Sequence, residues 1–489
     1  MRHPLPFPAA VLAVLLAVSP ATAATPATGD WAPLTTSSAP LRSSLFEDVL
    51  GMERGPDGLI YVCGWFLDAG GDPTADYLAV YDPATEGWHG LGSNGAGNGA
   101  FDGPVYAMAW YHGTLIVGGS FSDAGGMATA DNLAAWTGST WTSRLSVGHA
   151  LSPFNDAVNT LAVAGDSLYV GGDFTNASEL GAGDAIVRWN GRDLSTVAPV
   201  AAADGPFAGG TSVGDIATTA DGRLWVVGAN GATTLVAAWD PGAAMWSGLG
   251  GPAFVSNAGF AYTVAVNATG TAVTIGGSFL DWGGAATADG VARWNGTAWS
   301  GLGSNGAGDG ALAVGTVSDL RYYGTSLLVA GNFTGPSQDL AAWNGSKWLA
   351  MGTDAPGILH GILPVGRVLY AGGSFSNMGG HASADSIAAY GLAAPPSAPR
   401  SLAAAAGSKR ITLSWAAPVM TNGAPVMDYV VQYRKAGTTP WKTFADGVRT
   451  TRSAAITGLT KGATYQVRVL AVNDWGTGAT SAVLSRKAG

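Results

Sequence analysis

The chain offers little from which catalysis could be built. Glu occurs four times, as Glu47, Glu53, Glu86 and Glu179. Glycoside hydrolysis needs two carboxylates held roughly 5–10 Å apart, so a dyad would have to come largely from Asp. Asp102, Asp156, Asp215 and Asp319 are the candidates, and nothing in the sequence singles out a pair. His89, His112, His149 and His360 show no metal-ligand spacing. No H-E-x-x-H, G-x-S-x-G, P-loop or G-x-G-x-x-G strand–helix unit is present. Cys63 is the single Cys and has no partner within the chain.

Acids do recur in loops. Asp68, Asp123 and Asp281 (Asn176 and Asn377 in other copies) are followed by Asp76, Asp131, Asp184, Asp289, Asp339 and Asp385. Asp beside backbone carbonyls suits a hard cation such as Ca²⁺. None of these loops has EF-hand or nonapeptide spacing. The expectation is therefore that each side chain bonds N–H groups of its own loop, and that no cofactor is held. Variable loops carry the other candidates: Phe101 and Asp102, then Phe154, Asn155 and Asp156, then Phe207 and Phe260. These seven residues are the candidate ligand-binding set. The four Phe side chains could form an aromatic platform for sugars, or bury themselves and plug a channel mouth, which is the commoner fate of large apolar groups.

The elements that must position these residues come from a repeat. LIVGGSFSDAGGMATADNLAAW from Leu115 returns as LYVGGDFTNASELGAGDAIVRW from Leu168, VTIGGSFLDWGGAATADGVARW from Val273 and LYAGGSFSNMGGHASADSIAAY from Leu369, with weaker copies from Leu59, Leu224 and Leu327. The last strand Gly falls at Gly64, Gly119, Gly172, Gly228, Gly277, Gly331 and Gly373, at spacings of 55, 53, 56, 49, 54 and 42. Seven units with a period near fifty point to a propeller-type array. Each unit splits into four short strands, in the second copy Val105–Trp110, Leu115–Phe121, Asn132–Trp136 and Trp141–Leu145. The Gly-Gly pairs let neighbouring sheets approach. W-N-G turns place Asn-Gly where a tight hairpin needs positive φ, and the flanking Trp side chains pack between sheets. The last unit lacks an outer strand, and Asp30–Leu34 fits the gap. The expected fold is all-β: a seven-bladed β-propeller closed by the N-terminal strand.

Composition agrees. Gly numbers 74 of 489 residues and charged residues are only 11%, against about 25% in typical domains. Residues 1–395 hold 11 Lys/Arg against 30 Asp/Glu, and residues 396–489 hold 12 against 3. Before residue 400 the single Lys is Lys347. The acidic part would repel nucleic acid. Residues 1–23 carry Arg2, an apolar run from Ala9 to Val18, and Ala21 and Ala23 in A-x-A spacing, the pattern of a secretory signal peptide. No later run is long and apolar enough for a helical span. The expected order is signal peptide 1–23, propeller 24–393, Pro-rich linker 394–399 and a further module at 400–489.

The repeat resembles the Kelch and galactose-oxidase-like propellers of secreted bacterial proteins over residues 30–393. That family's copper site needs His and Tyr ligands, one His coming from the C-terminal domain, and here the last His is His381. The final module alternates with period two in Ile411–Trp415, Tyr429–Arg434 and Tyr465–Val469. It resembles a fibronectin type III β-sandwich, Trp415 matching the buried strand-B Trp, and Leu459 and Tyr465 the tyrosine corner. The resemblance implies a spacer or weak adhesive role. The expected function is a secreted, monomeric, non-catalytic protein that binds an extracellular glycan or protein. The alternatives are a carbohydrate-active glycosidase or lyase, and a cell-surface adhesin retained through the basic module.

Overall fold

The computed structural model describes residues 26–34, 48–143, 153–180, 183–197, 211–230, 233–249, 259–352 and 357–489. The expected signal peptide at 1–23 lies outside the described residues. The chain is all-β. The described residues between 31 and 391 form seven four-stranded antiparallel sheets. Their inner strands are Asp48–Arg54, Val105–Tyr111, Val158–Ala164, Ser212–Thr218, Gly259–Val266, Ala313–Tyr323 and Gly357–Val365. Six sheets run in chain order from inner to outer strand. The seventh takes its outer strand from Trp31–Ala32, which pairs with Tyr390 and Ala389. That strand lies where the sequence places it, but it spans two residues because Pro33 cannot donate to a ladder. Each inner strand packs against the next, and Gly357–Val365 packs against Asp48–Arg54, so the succession returns to its start.

The Gly-Gly pairs do two separate jobs. The first Gly faces the next sheet. A Cβ on Gly118 would overlap Val158 Cγ1, and Gly276 and Val317, and Gly372 and Val49, repeat the relation. On Gly171 it would stand 2.6 Å from Val213 Cγ1. The second Gly faces its own inner strand: a Cβ on Gly119, Gly172, Gly277 or Gly373 would strike the carbonyl oxygen of Pro104, Ala157, Phe260 or Ile358. These carbonyls flank a register shift that all seven inner strands carry at the same place, such as Val158/Thr160 and Leu359/Gly361. Three sheets carry a larger residue in place of the first Gly. Val227 shares a core cluster with Ala261, where other sheets have Val. Ala330 clusters with Leu359, and Cys63 with Val105. Cys63 is fully buried, and burial pushes its thiol far above the usual range. It is a small core side chain, as its place in the repeat implies.

The outer strands are joined by Trp. The indole N–H of Trp141 donates to Leu91 O at 2.7 Å, that of Trp246 to Val197 O at 2.5 Å, that of Trp299 to Leu249 O at 3.1 Å, and that of Trp348 to Leu302 O. Each bond ties one sheet to its predecessor. In the W-N-G turns only the Gly has positive φ, at 92° for Gly191, 102° for Gly296 and 98° for Gly345. The Asn acts instead through its side chain: Asn190 Oδ1 accepts the N–H of Arg192 and Asp193, and Asn295 and Asn344 repeat the pattern.

Inside the succession of inner strands, carboxylates join sheets that are neighbours. Asp215 Oδ2 accepts the Val264 N–H at 2.9 Å and the Thr263 hydroxyl at 3.1 Å, and Asp319 Oδ2 accepts the Ile362 N–H at 2.9 Å. Asp319 also pairs with Arg321 at 3.3 Å. Asp215, Asp319 and Arg321 line a cavity of about 290 Å³. Glu53 lies within electrostatic reach of Arg321 and Asp319. Burial raises the Glu53 and Asp215 carboxyls above their usual range, and Arg321 opposes that rise for both.

Residues 400–487 form a sandwich of a three-stranded sheet, Arg400–Gly407, Arg410–Ala416 and Ser453–Ile456, against a five-stranded one. Trp415 is buried against Tyr429, and Tyr465 Oη accepts the Thr460 N–H at 3.1 Å, which is the expected corner. The Pro-rich stretch 394–399 packs along this module. Ala394 N donates to Asn422 O, and Asn422 Nδ2 donates to Pro395 O at 2.6 Å. The module touches the sheets directly: Lys347 Nζ lies 2.7 Å from Asp474 Oδ1, Asn344 Nδ2 donates to Asp474 O at 2.9 Å, and Tyr323 meets Trp475 edge-on.

Two outcomes test this packing. Gly372→Ala will destabilise the protein by about 1–3 kcal/mol through overpacking against Val49, and Gly372→Ala/Val49→Ala will be more stable than the two single effects predict by about 1 kcal/mol, read by denaturant unfolding. Because the folded Glu53 carboxyl is raised, its contribution is present at acid pH and lost as pH rises through the folded value. The melting temperature of Glu53→Gln will therefore exceed that of the parent by a margin that grows from pH 4 to pH 8. A margin that shrinks over that range would contradict the assignment.

Candidate functional site

The repeated acids build the loops of one face. Asp68, Asp123, Asn176, Asp281 and Asn377 each adopt the left-handed conformation, with φ between 49° and 57°, and open a one-turn 3₁₀ segment. The backbone N–H of each donates to a carboxylate eight residues on: Asp76, Asp131, Asp184, Asp289 and Asp385, at 2.6–2.9 Å. In the sixth sheet Asp339 Oδ1 accepts the Phe333 N–H at 2.9 Å. Asp76 and Asp289 reach further, accepting Gly99 N and Gly310 N from the loop that leads to the next sheet. Six of these acids are thus loop braces. Among the described residues, no three His, Cys, Asp or Glu side chains come together as a metal-holding group.

Three of the seven sequence candidates meet in one cleft between the second and third sheets. Asp102, Ser120, Ser122, Asp131, Asn132, Phe154 and Asn155 line a space of about 360 Å³. Asp102 and Asn155 are equivalent residues, each three positions before an inner strand. Asp102 Oδ1 accepts the Ser122 N–H at 2.7 Å, and Asn155 Oδ1 accepts the Thr175 N–H at 2.9 Å. Asn132 Nδ2 donates to Phe154 O at 3.3 Å, closing the wall. The cleft is therefore a set of amides, hydroxyls and carboxylates held by backbone bonds.

The remaining candidates separate. Phe101 and Phe154 are each only 2% exposed, so neither forms a platform. Phe101 stands edge-on to Phe121 and Trp141, both at 4.8 Å, and Phe154 edge-on to Phe174 at 4.8 Å. They fill the core beneath the loops, which also corrects the expectation of a channel plug: the Phe of each GGxF phrase supplies the apolar contact. Phe260 is half-buried and stacks on the exposed Tyr262. Asp156 Oδ1 accepts the N–H of Ala157 next to it and does not line the cleft. Phe207 lies outside the described residues.

The residues at the register shifts form a second polar set that sequence reasoning missed. Asn159 Nδ2 donates to Asp173 Oδ1 at 3.0 Å. His360 Nε2 meets Ser374 Oγ at 3.1 Å, and Ser374 Oγ donates to Asp48 Oδ1 across to the first sheet. Burial lowers the His360 imidazole below its usual range, against the pull of Asp48. Nucleophilic catalysis would need the imidazole between hydroxyl and carboxylate. Here the hydroxyl lies between the other two, so the arrangement positions polar groups without making a base for Ser374. A signal was present: the residue after the Gly pair, as in Trp65, Ser120, Asp173, Ser278, Asn332 and Ser374, varies within an otherwise constant phrase.

Comparison with known proteins bears on the C-terminal module. Within the described residues, no helix is long and apolar enough to cross a membrane. The striated-muscle M-protein of Gallus gallus is 36% identical over 73 residues, covering 15% of this chain. The chain spans about 5% of that protein's length. The crystal structure of the FN5 domain of Drosophila Lar is 24% identical, covering 19% of this chain and 96% of that one, with a TM-score of 0.17. The twitchin kinase region from C. elegans is 23% identical, covering 19% of this chain and 17% of that one, with a TM-score of 0.18. Residues 397–487 match the fibronectin type III domain family, and the sandwich with its Tyr465 corner is that domain.

Proposed function

We propose that this is a secreted binding protein whose seven sheets form a seven-bladed propeller of the Kelch and galactose-oxidase-like kind, engaging a glycan or protein on its loop face. Support for the propeller comes from the sevenfold repeat, the borrowed outer strand and the return of the inner-strand succession to its start. Support for an extracellular setting comes from the leader-like pattern of residues 1–23 and from the fibronectin type III domain.

The observation that carries the binding reading is the cleft of Asp102, Asn132 and Asn155. Its polar groups are fixed by hydrogen bonds before any ligand arrives, which lowers the ordering cost of binding. Its donors and acceptors suit sugar hydroxyls or a polar peptide. One observation favours a second reading, a carbohydrate-active enzyme: Asp102 and Asp131 line the same cleft, as an acid pair would.

One set of variants separates the two. Ser122→Trp fills the cleft without deleting a side-chain hydrogen bond, and Asp102→Asn preserves shape while removing charge. On glycan arrays and in pull-downs, the parent protein should show a ligand, Ser122→Trp should weaken it at least tenfold, and no polysaccharide should be turned over. Turnover that Asp102→Asn abolishes would transfer the site to the enzyme reading. Binding untouched by Ser122→Trp would overturn the cleft as the site.

A further inference from the structure

We propose that the outward face of the five-stranded sheet in the fibronectin type III domain is a second binding site, and that its ligand is an anionic polysaccharide held by Arg434 and Arg468. The two residues stand on Asp428–Lys435 and Thr464–Asn473, in the cross-strand pairs Arg434–Gln466 and Gln432–Arg468. Alternate residues Tyr429, Val431, Val467 and Val469 are buried in the module core, so the Arg and Gln side chains belong to the other face.

Both guanidinium groups are held in place. Their central carbons lie 4.4 Å and 4.2 Å from the ring centre of Trp441. Arg434 Nε donates to Gln466 Oε1 and Arg468 Nε to Gln432 Oε1, each at 2.7 Å. Every one of these partners is neutral. The module has three acids, and each is engaged elsewhere: Asp428 accepts the Tyr429 and Arg449 N–H groups, Asp446 pairs with Arg449, and Asp474 pairs with Lys347. Two like charges are therefore fixed side by side with no carboxylate in ion-pair reach.

An anion is the ligand that relieves this repulsion, and a planar guanidinium fork suits sulfate, phosphate or carboxylate oxygens. Exposed Lys487, paired with Thr464 and so in register with Gln466 and Arg468, extends the charge along that face, which favours a polymer over a single small ion. The Trp441 indole is already covered by the two guanidinium groups, so it is not offered to a stacking base. That favours a polysaccharide over nucleic acid. The acid excess of residues 1–395 confines such a ligand to this module.

The test uses the full chain on immobilised heparin, a sulfated polysaccharide, with neutral dextran as control. Arg434→Gln/Arg468→Gln is compared with Lys409→Gln/Arg410→Gln, which removes the same charge from a hairpin of the other sheet. The parent should bind heparin and not dextran. The Arg434/Arg468 variant should bind at least tenfold more weakly, with a salt dependence shallower by about two contacts, while the Lys409/Arg410 variant stays close to the parent. If the Gln variant fails to fold, Arg434→Lys/Arg468→Lys keeps the charge and removes the fork, and it should still bind severalfold more weakly. Absence of heparin binding overturns the proposal, and so does equal loss in the two charge-matched variants. Self-association at low salt that needs Arg434 and Arg468, without heparin binding, would assign the face to a second copy of this chain.

Discussion

The fold depends on one steric relation: a missing Cβ on the second strand of a sheet receives a side chain from the inner strand of the next. Gly118 receives Val158, Gly171 receives Val213, Gly276 receives Val317 and Gly372 receives Val49. At these four contacts an added methyl would overpack an interior already near crystal density. Of the three exceptions, Val227 faces a smaller residue, Ala261, whereas Ala330 clusters with Leu359 and Cys63 with Val105, which are bulkier contacts. At Val227 the larger side chain has moved from the inner strand to the second strand. The relation also spans the join between the seventh and first sheets, where Gly372 meets Val49. The join is thus packed by the same contact as the interior of the array.

That packing leaves the loop face to be braced separately. A left-handed residue begins five of the described loops, and a carboxylate eight positions later holds its N–H group. The consequence for function is that most of the repeated acids are structural, and polar side chains that vary between copies are what remain to meet a ligand. The cleft at Asp102 and Asn155 fits this division. Both residues sit outside the repeated phrase; Asp102 is held by the Ser122 N–H, and Asn155 by two hydrogen bonds to Thr175. Inside the inner strands the division is different. Asp215 and Asp319 join neighbouring sheets through Val264 and Ile362, and Arg321 offsets their charge. These acids therefore hold the structure at a place where a sequence search for a catalytic dyad would have counted them.

Much of the architecture was legible because it repeats. Seven copies of one phrase, Gly pairs, Trp at strand ends and the orphan strand at Trp31 are all periodic signals, and each has a local physical cause. In the second sheet the expected strand at Asn132 begins one residue later, because Asn132 is left-handed with φ 59°. In the W-N-G turns only the Gly adopts positive φ, since the Asn side chain closes the turn by accepting two N–H groups. The candidate site was read less well. Phe101 and Phe154 lie in variable loops, yet both are core residues, because the Phe of GGxF needs an aromatic partner and the loop supplies it. Burial of this kind is set by tertiary contact and leaves no local pattern. The polar pairs at the register shifts, Asn159 with Asp173 and His360 with Ser374, need the strand pairing before they become visible.

The charge asymmetry between the two parts of the chain acquires a structural reading from Lys347. It is the one Lys before residue 400, and it meets Asp474, one of only three acids after residue 395. A half-exposed pair of this kind contributes little stability by itself. Asn344, on the same turn, also binds the Asp474 carbonyl, and Tyr323 packs on Trp475, so the pair sits within a contact that has polar and apolar parts. Docking has a second effect. It engages Asp474 on the side facing the sheets, while Asp446 and Asp428 are held by Arg449. The basic module is then left without a counter-charge on its outward sheet, where Arg434 and Arg468 are stacked on Trp441. The contact that fixes the module against the sheets thus engages one of its three acids and leaves Arg434 and Arg468 with neutral partners.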